Sequence, residues 1–98
     1  MERYSARTID ELSRLILPQE LMKKIGLKPG NNVYLKIIEN LVIVQHEENS
    51  TEPDAVVCQI SERGRITMPA KVKTVLGWKE KDKVAFYHSG NMIILKAA

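Results

Sequence analysis

Two short stretches place arginine at a turn. "SERGR" (61–65) sets Arg63 and Arg65 on either side of Gly64, and "DELSR" (10–14) ends on Arg14 after a small residue. A guanidinium carries its donors in a planar fork. It can grip a phosphate through two of them, or meet the O6 and N7 of guanine in a major groove. Held on a rigid turn, such a group loses less freedom on binding than it would on a loose arm. A helix expected just beyond each turn adds Lys23 and Lys24 in the first case, Lys71 and Lys73 in the second. The chemistry on offer is anion recognition. The competing reading is that Arg14 and Arg65 pair with Glu11 and Glu62 and hold the turns in shape, as exposed pairs of small energetic value.

Other chemistry finds less support. His46 and His88 lie apart from each other and from any cysteine, so no metal-ligand spacing exists. Cys58 stands alone in an apolar run and reads as a buried strand thiol, which also fits a reducing compartment. Ser89-Gly90 and Glu47-Glu48 read as turn and linker. There is no nucleophile–base pairing and no phosphate-cradling glycine loop, so neither an enzyme nor a cofactor is expected. Lys79, Lys81 and Lys83 alternate with Glu80 and Asp82, the pattern of a solvated loop. Trp78 follows a helix-ending glycine and is assigned to the core.

Composition sets the frame. The 98 residues are 44% hydrophobic and 28% charged, which is ordinary for a globular chain. Net charge is +3, and the excess sits in the second half. Residues 1–49 hold seven cations and seven acids, residues 50–98 eight and five. This mild basic bias suits a nucleic-acid partner without requiring one. No apolar leader or transmembrane-length run is present, so the cytoplasm is the expected location and no membrane partner is expected.

The elements that must hold the arginines come twice. Laid on itself at an offset of 51, the chain aligns residues 9–45 with 60–96 without a gap, with nine identities in 37 positions. Conservative pairs such as Leu15/Ile66, Leu21/Val72 and Val42/Ile93 preserve the apolar pattern. Each unit reads as a strand (6–9 or 56–60), the turn, and a short strand (15–17 or 66–68). A two-turn helix follows, opened by Pro18 or Pro69 at its first position and closed by Gly26 or Gly77. Two closing strands complete the unit (33–37 and 41–45, or 84–87 and 92–96). The units are 1–46 and 56–98. The acidic stretch between them, 47–55, reads as a linker that would avoid a polyanion.

A unit of some 40 residues with neither metal nor disulfide is too small to sustain a core of its own. Its open sheet edges also need covering. Two units that exchange hairpins would answer both needs. The expected fold is therefore mainly β: a closed or nearly closed pseudo-twofold barrel from two ββαββ repeats, with two short helices outside.

The segments "RTIDELSRLILPQELMKKIGLKPGNNVYLKIIENLVIV" and "CQISERGRITMPAKVKTVLGWKEKDKVAFYHSGNMIILK" each resemble the AbrB/SpoVT DNA-binding motif. This is the swapped-hairpin, or looped-hinge, barrel shared with MazE-type antitoxins. The pattern covers about three quarters of the chain. In that family two motifs, usually from two identical chains, build one barrel; here one chain supplies both, as in the MraZ relatives. The resemblance implies a double-stranded DNA-binding transcriptional regulator associated with the nucleoid. It assigns DNA contact to the positions held here by Arg7, Arg14, Met22 and Lys23, and by Cys58, Arg65, Lys73 and Thr74. Cys58, Met22 and Thr74 depart from the basic residues expected there, so the two halves should be chemically unequal. The candidate DNA contacts are Arg7, Arg14, Lys23, Lys24, Arg63, Arg65, Lys71 and Lys73. The alternative is an antitoxin that binds its own operator and also a toxin. Only Ala97 and Ala98 follow the last expected strand, which weighs against a toxin-wrapping tail. The barrel is expected within one chain, although the linker also permits a homodimer or higher homo-oligomer.

Overall fold

Each half of the chain folds in the same order. The computed structural model describes residues 2–46 and 55–98. The first half gives β1 (Glu2–Thr8), β2 (Arg14–Ile16), α1 (Gln19–Lys24), β3 (Asn32–Ile38) and β4 (Leu41–His46). The second gives β5 (Val56–Gln59), β6 (Arg65–Thr67), α2 (Ala70–Leu76), β7 (Lys83–Ser89) and β8 (Met92–Ala97). The expected linker lies outside the described residues except for Ala55. No helix among the described residues is long and apolar enough to cross a membrane.

Apolar alternation forms the hairpins. In β3 and β4, Val33, Leu35, Val42 and Val44 are buried and their neighbours are partly exposed, the period-two pattern of a sheet with one packed face. Their repeat partners Val84, Phe86, Ile93 and Leu95 are buried as well. One core gathers these with Leu15, Leu17 and Leu21 and their partners Ile66, Met68 and Val72. Trp78 joins it, as the sequence expects. The radius of gyration, 12.0 Å, matches one domain of this length, for which about 13 Å is typical.

The sheet order is β1-β7-β8-β4-β3-β5, antiparallel throughout, and β2 pairs with β6 in a separate ribbon. Each opening strand thus bonds to the other half's hairpin: β1 to β7, β5 to β3. In the ribbon Leu15 faces Ile66, and between β4 and β8 Ile43 faces Ile94. Both pairs are residues 51 apart, each facing its own repeat partner. A local twofold axis therefore passes through both pairs.

Two expectations need correction. The ladder does not close into a barrel. β1 and β5 are the edges of the six-stranded sheet, and the three-residue strands β2 and β6 spend their hydrogen bonds on each other. The prolines also sit one place earlier than the first helical position. Pro18 and Pro69 are extended (ψ 130° and 150°) and are the caps that precede α1 and α2. Their carbonyls accept the first helical bonds, from Met22 N–H at 3.0 Å and Lys73 N–H at 3.2 Å. A proline there gives up no helical donor and keeps its fixed φ. Gly26 and Gly77 end the helices with φ of 72° and 70°, the left-handed geometry expected of them.

Candidate functional site

The two turns share a backbone. Asp10 N–H donates to Arg14 O at 3.0 Å and Ser13 N–H to Asp10 O at 3.0 Å; Ser61 N–H donates to Arg65 O and Gly64 N–H to Ser61 O, both at 2.9 Å. The fourth residue is left-handed in each, Ser13 at φ 61° and Gly64 at φ 75°. The opening side chain folds back onto the turn, as short polar residues do. Asp10 Oδ1 accepts from Leu12 N–H at 2.9 Å and Arg14 N–H at 2.8 Å, while Ser61 Oγ accepts from Arg65 N–H at 3.1 Å. Each turn is also tied across the ribbon: Leu17 N–H donates to Gly64 O at 2.9 Å, Met68 N–H to Ser13 O at 2.7 Å. These bonds make the turns rigid platforms.

The arginines on these platforms differ. Arg14 Nε bonds Asp10 Oδ2 at 2.8 Å, so its partner is Asp10 and not Glu11. Asp10 is held below the ordinary carboxylate range, first by the Arg14 backbone N–H, against some desolvation, and then by the Arg14 side chain and the Leu12 N–H. Among the described residues Arg65 has no such carboxylate, and it does not pair with Glu62. Its Nε is shielded from solvent and has no acceptor among the described residues. On the ribbon Leu15 and Ile66 turn inward, which puts Arg14, Ile16, Arg65 and Thr67 on the outer face.

Two concavities flank the second turn. An open groove of about 940 Å³ runs between β1, α1 and that turn, and its cations are Arg7, Lys23, Lys28 and Arg63. A shallower hollow of about 550 Å³ is lined by Arg14, Arg63 and Arg65 with Ser61 and Glu62. Arg63 and Glu62 border both, so the two concavities adjoin in one surface at the second turn. Of the sequence-derived candidates, Arg7, Arg14, Lys23, Arg63 and Arg65 meet on this surface. Lys24, Lys71 and Lys73 line neither concavity. Lys24 Nζ sits 5.6 Å from the centre of the Tyr4 ring, a cation–π contact, and Lys73 Nζ donates to Ser13 Oγ at 3.0 Å.

Sequence reasoning missed Tyr4, Ser5 and Lys28, which also line the groove. β1 begins at Glu2, four residues before the strand expected from apolar content, and Lys28 lies in the connection after α1. The signal for Lys28 was its identity with Lys79 at the same repeat position. Cys58, at the place of Arg7 in the second half, is half-buried; its thiol pKa is raised by desolvation, and Sγ donates to Thr67 O at 3.8 Å. Among the described residues no cluster of His, Cys, Asp and Glu could hold a metal ion.

No family model and no curated protein matches the chain. Among solved structures it is similar to the solution structure of PHS018 from Pyrococcus horikoshii, with a TM-score of 0.53 and 21% identity over 99% of this chain and 88% of that one. The likeness is one of fold.

Proposed function

We propose that the chain is a double-stranded DNA-binding transcriptional regulator of the AbrB/SpoVT type, with its two motifs interlocked as a swapped-hairpin unit. The exchange of opening strands, β1 with β7 and β5 with β3, supports that arrangement. The observation that carries the DNA reading is the convergence of Arg14, Arg63 and Arg65 on one hollow, beside the groove cations Arg7, Lys23 and Lys28. An anion entering that hollow meets Arg63 and Arg65, neither of which has an ion pair among the described residues. Arg65 stands on the outer face of the ribbon and lines that hollow with Arg63. Nucleoid association in the cytoplasm follows from this reading.

The test is equilibrium binding of the full chain to genomic duplex fragments between about 50 and 200 mM salt, with duplex RNA as competitor. The expected result is affinity that falls linearly on logarithmic axes, by about 0.9 per phosphate contact, with duplex DNA preferred. Binding that is absent, salt-independent or stronger for RNA would reject the reading.

A further inference from the structure

The two halves repeat a backbone but not a charge pattern. Each flank of the molecule is composite. α1 lies under the second turn, since a Cβ placed on Gly64 would meet Met22 Sδ at 3.7 Å. α2 lies beside the first turn, joined by the Lys73–Ser13 bond. The first flank is thus built from β1, α1 and the second turn, and the second flank from β5, α2 and the first turn.

Position by position the chemistry diverges. Arg7, Lys23, Lys24 and Arg63 of the first flank have Cys58, Thr74, Val75 and Leu12 as repeat partners on the second. Lys28 keeps its charge, as Lys79, and Arg65 of the second turn keeps its own, as Arg14. The second flank has Lys71 and Lys73 where the first has Glu20 and Met22, but Lys73 is already bonded to Ser13. Counted over each flank's strand, turn, helix and the connection after the helix, seven cations stand against three acids on the first flank and five against four on the second, Arg65 and Arg14 included. Leu12 and Val75 are 61% and 57% exposed, so a phosphate backbone laid there would meet apolar surface. The groove and hollow described above adjoin the first flank and the second turn, and concave basic surfaces concentrate the field.

We propose that duplex DNA is bound through the first flank and the second turn alone, in one orientation, so that the chain selects a non-palindromic element. The inference rests on the DNA reading given under Proposed function. Operator palindromy mirrors twofold symmetry of the binding surface. Here the backbone has that symmetry and the binding chemistry does not.

The experiment selects bound duplexes from genomic fragments with the full chain, then compares variants on the selected element. The expected element has no inverted repeat. Giving the first flank the second flank's residues (Arg7→Cys/Lys23→Thr/Arg63→Leu) lowers the salt slope by about 0.9 for each lost phosphate contact. Lys79→Gln, on the second flank, leaves the slope unchanged. Far-ultraviolet circular dichroism reports whether the triple variant folds. If it does not, Lys23→Gln at an exposed helix position carries the comparison and is expected to lose about one such unit of slope. Selection of inverted repeats, or equal slope losses in Lys79→Gln and Lys23→Gln, overturns the one-flank inference and leaves DNA binding standing. Failure of the wild-type chain to retain any duplex at any salt overturns both.

Discussion

Asp10 and Ser61 stand at the same place in the two turns, and each accepts the amide four residues on: Arg14 N–H at 2.8 Å, Arg65 N–H at 3.1 Å. The hydroxyl stops there. The carboxylate has a second oxygen, which takes the Arg14 guanidinium at 2.8 Å. The turn geometry therefore needs one acceptor, and the second oxygen decides whether the arginine is committed. One turn commits its arginine to its own carboxylate; the other does not. A repeat that looks redundant in its backbone has divided its chemistry between two copies.

The left-handed positions divide in the same way. Ser13 pairs with Gly64, Glu39 with Gly90 and Lys81 with Gly30 across the repeat, and all six have positive φ. Glycine adopts that geometry without cost and the side-chain-bearing residues do not. The fold thus requires the conformation, and the first half tolerates the strain at two positions (Ser13 and Glu39), the second at one (Lys81).

The largest expected effect breaks the equivalence of the halves outright. Residues 1–48 alone would lack β7, β8 and β6, the partners of β1, β4 and β2, and would keep only the β3–β4 ladder. That half should be unfolded or a homodimer by far-ultraviolet circular dichroism and solution mass. A folded monomer would show that one unit needs no exchange. Next in size is the contrast between the arginines. Arg65→Ala should weaken DNA binding by about 1–3 kcal/mol and relax sequence preference if Arg65 reads a base. Arg14→Ala should cost less, because wild-type Arg14 already bonds Asp10. Equal losses in a competition titration would mean that the Asp10 bond does not occupy Arg14.

Much of this was legible in the chain. The offset of 51 gave the element order, because Pro, Gly and the apolar positions recur in register. Trp78 was legible as core from its place after Gly77. The partner of Arg14 was not: the sequence offered Glu11, whereas the tight turn sends Glu11 outward and brings Asp10 back onto the amides. β1 is longer than its apolar content predicts because Glu2–Ser5 has no apolar alternation; its pairing with β7 comes from tertiary context, with a register break between Tyr4 and Arg7. Ladder closure was not legible either. It depends on whether β1 and β5 find edge partners, and hydrophobic pattern is silent on edges.

Acid should sharpen the contrast between the turns. Asp10 has a depressed pKa in the fold, so its contribution to stability is fully present above the unfolded value of about 3.9 and is lost as pH falls through the lower folded value. Denaturant midpoints of the wild type should therefore drop more steeply below about pH 4 than those of Asp10→Ser, which copies the second turn. The same variant at neutral pH should free Arg14 and steepen the salt dependence of DNA binding. Parallel acid profiles for the two proteins would remove Asp10 from the account.

The smallest effect separates conformation from contact at the fourth turn position. Gly64→Ala puts a Cβ on a residue at φ 75°, where its nearest contact, Met22 Sδ at 3.7 Å, is ordinary packing distance. The cost is then backbone strain alone, about 1–2 kcal/mol. Ser13→Gly runs the other way: it relieves strain at φ 61°, but frees the unfolded chain and removes the acceptor of Lys73. These terms are each of about 1 kcal/mol, so Ser13→Gly should lie within about 0.5 kcal/mol of wild type. Ser13→Ala isolates the hydroxyl, since it keeps the strain and loses only the Lys73 bond. Chemical denaturation should therefore rank Gly64→Ala as the most destabilised of the three. A Gly64→Ala protein as stable as wild type would mean that the second turn relaxes to another geometry, and Arg63 and Arg65 would no longer be held where the first-flank groove needs them.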